Sequence, residues 1–98
     1  MNLGLVATHD GAGPHLVGLA AAAVSRGWTV RCFLTHTGVR LLDNAELLAM
    51  LRGGQLRLDA CEHAWQLYGV GQAPADVKLR SQLQNAEVAK QCDRLIAI

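Results

Sequence analysis

Apolar and polar positions change period several times along the chain, and each change marks the edge of an element. Leu3 to Ala7 (LGLVA) is a short unbroken apolar run of the kind buried in a parallel sheet. The loop HDGAG follows, and Pro14 stands where a first helical turn loses nothing by lacking an N–H. A helix is expected from there to about Arg26, with Gly27 as its left-handed stop. Trp28 to Thr35 (WTVRCFLT) is rich in β-branched and aromatic residues and reads as the second strand.

Asp43, with Glu46 three positions on, has the form of a capping box opening an amphipathic helix, with Leu47, Leu48 and Leu51 on its apolar side. Gly53 and Gly54 end that helix. In the third strand, Gln55 to Ala60, the residues Leu56, Leu58 and Ala60 face one way and Arg57 and Asp59 the other. Cys61 to Tyr68 is a short helix closed by Gly69. The stretch VGQAPAD is a loop, Val77 to Leu79 a brief strand, and Ser81 with Gln84 a second capping box that starts a helix to about Gln91. Arg94 to Ile98 (RLIAI) closes the chain as an apolar strand.

Strands that alternate with helices pair in parallel through right-handed crossovers. The order βαβαβαβαβ therefore predicts one α/β domain over residues 1–98. Its expected architecture is a three-layer α/β/α arrangement with a parallel sheet of about five strands and flavodoxin-like layering.

Composition narrows the function classes. Hydrophobic residues make up 51% of the chain and charged residues 17%, so a small globular domain has little charge to cover its surface, and an oligomer is expected. The net charge of +1 gives no electrostatic footprint for nucleic acid or an anionic membrane. No basic leader precedes the first strand, and the apolar run LVGLAAAAV is far short of the ~20 residues that span a bilayer. Cys32, Cys61 and Cys92 have neither disulfide-framework nor zinc spacing, which points to a reducing, cytoplasmic setting.

Ligands of open parallel sheets gather beyond the carboxyl ends of the strands. His9, Asp10 and Gly11 follow strand one there, His36 follows strand two, and Cys61, Glu62 and His63 follow strand three. Cys61 is the cap or first residue of its helix, where unpaired backbone N–H groups and the helix dipole favour a thiolate. His63, when protonated, adds to this effect and Glu62 opposes it. The alternative is that Cys61 is a small buried hydrophobe, as most free cysteines are. Cys32 in mid-strand and Cys92 at a helix end read as packing residues. The histidines lack zinc spacing and read as loop-start hydrogen-bonding groups, with His15 solvated on the first helix. HDGAG lacks the third glycine and the lysine of a nucleotide loop and reads as a tight turn into Pro14.

Three segments carry a family resemblance: LDACEHAWQLYG, GVRLLDNAELLAML (Gly38 to Leu51) and the ending SQLQNAEVAKQCDRLIAI. Across nearly its whole length the chain resembles the DsrE/DsrF-like (TusD-like) sulfur-relay proteins. The resemblance implies a five-stranded parallel sheet between helices, assembled into homo-oligomers (trimers or hexamers) or hetero-oligomers with related subunits. It implies a sulfurtransferase-like carrier in which Cys61 holds a persulfide, taking sulfur from a donor protein and passing it to an acceptor protein. No cofactor or metal is implied, nor any nucleic acid or membrane partner, and His9 and His36 are candidates to hydrogen-bond the persulfide. The family also contains subunits that lack the cysteine and only support assembly. The alternative reading is thus a non-catalytic DsrE-like subunit, or a small-ligand-binding module, with an inert Cys61.

Overall fold

The computed structural model describes the backbone of residues 1–98 and every side chain except those of residues 84 and 85. Its strands are β1 (Asn2–Ala7), β2 (Thr29–Leu34), β3 (Arg57–Cys61), β4 (Lys78–Arg80) and β5 (Arg94–Ala97). Its helices are α1 (Gly13–Ser25), α2 (Ala45–Arg52), α3 (Glu62–Tyr68) and α4 (Gln82–Gln91). Short 3-10 segments cover Asp10–Ala12 and His36–Asp43. The five strands are all parallel, in the order β4-β3-β2-β1-β5.

This order decides which helix covers which face. The crossovers through α1, α2 and α3 each step the same way across the sheet, so right-handedness puts all three on one face. The long return from β4 to β5 runs the other way and puts α4 alone on the opposite face. Gly4 records that second contact: a Cβ there would meet Val88 Cγ1 at 3.2 Å and Cys92 Sγ at 3.0 Å, both from the α4 end of the chain. Arg31, in register with Gly4, donates to the Gln91 side chain at the last turn of α4.

The apolar alternation of the strands fills the core. Leu5, Leu16, Phe33, Leu34, Leu42 and Leu47 are fully buried, the first, third and fourth from β1 and β2 and the others from the elements packed on them. The sequence pattern gave no element to His36–Asp43, which instead winds through 3-10 turns and buries Val39, Leu41 and Leu42. Runs of that length are uncommon in this geometry. Here the segment is pinned against the end of β1, and a Cβ on Gly38 would stand 2.4 Å from the Ala7 carbonyl oxygen. Gly38→Ala is expected to force backbone apart at this point, at a cost of about 2 kcal/mol, read as a lower urea midpoint at unchanged slope.

Four local expectations change. The cap of α2 is Asn44, not Asp43: the 3-10 segment ends on Asp43, and Asn44 Oδ1 accepts from the Leu47 N–H at 3.0 Å. Ser81 occupies the cap position of α4 but its side chain makes no cap bond, and the Gln84 half of that predicted box lies outside the described side chains. β3 begins at Arg57 and runs on through Cys61, so the cysteine closes the strand as well as capping the helix. Gly69 does end α3, but in an extended conformation (φ −65°) and not a left-handed one. Glycine is needed there because a Cβ would lie 2.4 Å from the Trp65 indole.

Candidate functional site

Parallel pairing carries the ends of all five strands to one edge of the sheet. β3 ends on Cys61, whose backbone is extended (φ −70°, ψ 119°), and the chain turns at once into α3. Because side chains alternate along a strand, Cys61 shares the α4-side face with Asp59, and its register partner on β4, Arg80, shares it too. The first residue of α4, Gln82, then leans over this corner. Its Nε2 donates to Thr35 Oγ1 at 3.0 Å and to Cys61 Sγ at 3.3 Å.

These residues surround a pocket of about 270 Å3 lined by Cys61, Glu62, His63, Gln66, Arg80, Ser81 and Gln82. Cys61 lies on its floor at 3% exposure, while Glu62 and His63 are exposed at its wall. Arg80 is the pocket's permanent cation, and its Nε stands 3.7 Å from Asp59 Oδ1, the one charged side chain buried among the described residues. A guanidinium beside a sulfur-bearing pocket favours anionic ligands, and the carboxylate of Asp59 tempers that field.

Of the residues anticipated from sequence, Cys61, Glu62 and His63 come together in this pocket. His9, Asp10 and His36 reach the same sheet edge but do not line it. Asp10 forms an exposed ion pair with Arg40 at 3.2 Å. His36 adopts φ +54°, a left-handed conformation that a non-glycine residue enters only at a cost, and is held against Tyr68. Its ring lies 4.7 Å from the Tyr68 ring, with Tyr68 Oη 3.3 Å from Nε2. His9 is exposed in the loop, and His15 is exposed on α1 as the pattern predicts. Gln66, Arg80, Ser81, Gln82 and Thr35 were not anticipated. The brief fourth strand is the signal for Arg80 to Gln82, since its position beside β3 brings them over the thiol, while Thr35 ends the expected second strand and Gln66 lies in the expected third helix. Among the described residues no group of three His, Cys, Asp and Glu side chains is placed to hold a metal ion.

The other two thiols stand in different surroundings. Cys92, partly buried at the end of α4, has its proton held more tightly than usual, first by burial and then by Asp93, with Arg31 opposing. Cys32 is buried at 1% exposure, and burial pushes its thiol up to about 12 from 9.0. An unfolded chain releases this proton near 9.0 and the folded one only near 12, so the stabilisation is complete below 9.0 and is lost as pH rises toward 12. The loss is expected to approach about 4 kcal/mol. Urea titrations of the native protein between those two values should show it, and Cys32→Ala should flatten that part of the slope.

No family model matches the chain, and no curated protein matches it in sequence. Among solved structures, the crystal structure of the ychN protein from E. coli is similar over 99% of this chain and 97% of that one, with a TM-score of 0.73 and 12% sequence identity. At that identity the likeness carries the fold: a five-stranded, all-parallel α/β domain of DsrE-like architecture. Among the described residues no helix is long and apolar enough to cross a membrane.

Proposed function

We propose that this chain is a small cytoplasmic sulfur carrier, a sulfurtransferase-like relay subunit in which Cys61 accepts sulfane sulfur as a persulfide and hands it to a partner protein. The observation that carries the reading is the placement of Cys61. It is a free thiol at a strand-to-helix junction, on the floor of a pocket that also holds a guanidinium and an imidazole. A persulfide needs a site that a partner thiol can enter and that casual oxidants reach poorly. A recessed sulfur in an open-mouthed pocket meets both needs. In loading, the Cys61 thiolate attacks the outer sulfur of a donor persulfide. The donor S–S bond breaks, and the donor leaves as its own thiolate.

The DsrE-like fold supports the same reading, and its partners are a sulfur-donor protein and a sulfur-acceptor protein. Incubating the native protein with inorganic polysulfide, removing excess donor and measuring intact mass tests the function. The expected result is a gain of one sulfur atom's mass that a reductant reverses. No gain after prolonged incubation would sink the reading.

The low exposure of Cys61, at 3%, favours a second reading, a DsrE-like subunit whose thiol is inert. Leu67, Val70, Leu83, Leu95 and Ile96 are exposed, which suits assembly into a homo-oligomer or with related subunits. Alkylation rates of the three cysteines in the folded protein separate the two readings. Rapid, selective labelling of Cys61 supports the carrier, and labelling of Cys61 as slow as that of Cys32 supports the inert subunit.

A further inference from the structure

We infer that Gln82 is the hydrogen-bond donor that stabilises Cys61 Sγ as the leaving group when the persulfide sulfur is handed on, an inference that rests on the sulfur-carrier reading. The primary amide nitrogen of Gln82 carries two N–H groups and no acceptor. Thr35 Oγ1 takes one at 3.0 Å, which fixes the plane of the amide, and Cys61 Sγ takes the other at 3.3 Å. The two anchors come from different strands. Thr35 follows β2 and Cys61 closes β3, while Gln82 opens α4, so the contact bridges the carboxyl ends of two neighbouring strands. A sulfur that has lost its proton to become a thiolate, or gained a second sulfur to become a persulfide, can only accept. The donating nitrogen is therefore the matching end of the amide.

The chemistry says when this bond strengthens. An acceptor thiolate R–S⁻ attacks the outer sulfur of Cys61–Sγ–SH. The bond from R to that sulfur forms as the Sγ–S bond breaks, and the electron pair of the broken bond stays on Sγ. The products are R–S–SH, which keeps the proton, and the Cys61 thiolate, so atoms and charge balance with no outside oxidant or reductant. Negative charge thus develops on the atom that faces the Gln82 N–H, and a donor already aimed there needs no reorganisation. In the loaded ground state Sγ is a neutral bridging sulfur and accepts only weakly. The bond consequently favours release over retention.

The test compares native protein with Gln82→Met, which removes the donor at similar size, and Thr35→Val, which removes the amide's other anchor. Gln82 is exposed and Thr35 half-buried at a strand end, so both chains are expected to melt within a few degrees of the native one. Each is loaded with inorganic polysulfide, freed of donor, and mixed with cyanide, which takes the outer sulfur as thiocyanate in the same displacement. Release from Gln82→Met is expected to be about tenfold slower, and from Thr35→Val slowed by less. Native-like release from Gln82→Met would overturn the inference and leave the carrier reading standing. Failure of the native protein itself to gain sulfur would remove the carrier reading, and this inference with it.

Discussion

Cys61→Ser is expected to abolish the sulfur adduct completely, while Cys32→Ser and Cys92→Ser keep it. The hydroxyl oxygen of serine forms no persulfide, so nothing at the pocket floor can hold a second sulfur. Neither remaining thiol lies in the pocket. Cys32 lies in mid-sheet at 1% exposure with its proton held to about pH 12. Cys92 sits beyond the far end of α4, next to Asp93 at the opposite edge of the sheet from the pocket. The substitution leaves the site standing, because the Gln82 N–H that meets Sγ at 3.3 Å can meet Oγ instead. A stability change of about 1 kcal/mol, seen as a small shift in melting temperature, separates loss of chemistry from loss of fold. An adduct of unchanged amount in Cys61→Ser would move the site elsewhere.

The second large effect concerns the fold under that pocket. Phe33→Ala is expected to cost about 3–5 kcal/mol, a large share of the ~5–15 kcal/mol that holds a domain of this size together. Phe33 is the chain's one phenylalanine and is wholly buried. Its register neighbours are Val6 on β1 and Asp59 on β3. The ring therefore shares a face with the residues that build the site, two positions before Thr35 and beside the carboxylate that steadies Arg80. Removing it leaves a cavity against Asp59 that a 98-residue domain has little slack to close. Urea unfolding should show a sharply lower midpoint, and Phe33→Leu, which keeps most of the volume, should lose only about 1 kcal/mol. Equal midpoints for Phe33→Ala and native protein would mean that this centre of the sheet does not set the stability.

Much of this architecture was legible locally. Unbroken apolar runs separated by helical periods can pair only through crossovers, so the parallel sheet follows from the chain. The errors fall where neighbouring residues offer the same chemistry. Asp43 and Asn44 are equally good caps by type, and the choice between them was made by 3-10 turns that consume Asp43. Gly69 ends its helix as predicted, yet it is glycine because of the Trp65 indole and not because of a left-handed turn. The His36–Asp43 segment carries no regular period, since its buried residues are chosen by what packs on them.

The candidate site divides in the same way. That Cys61, Glu62 and His63 stand beyond the carboxyl end of a strand was readable, because they are contiguous with it. That Arg80 and Gln82 close over the thiol was not, because Gln82 is 21 residues from Cys61 along the chain and meets it only through the pairing of β4 with β3. His9, Asp10 and His36 show the converse. They share the edge, but Arg40 and Tyr68 hold Asp10 and His36 away from the pocket, and both partners are set by tertiary packing.

The sequence by itself determined the α/β class, the parallel pairing and the thiol at a strand-to-helix junction, since local period and chirality leave no other arrangement. Tertiary structure alone decided the strand order, the lone position of α4 on one face, and the burial of Cys61 beneath Gln82. Those are long-range matters: they depend on which surfaces fit across many residues of chain, and no local preference encodes that fit.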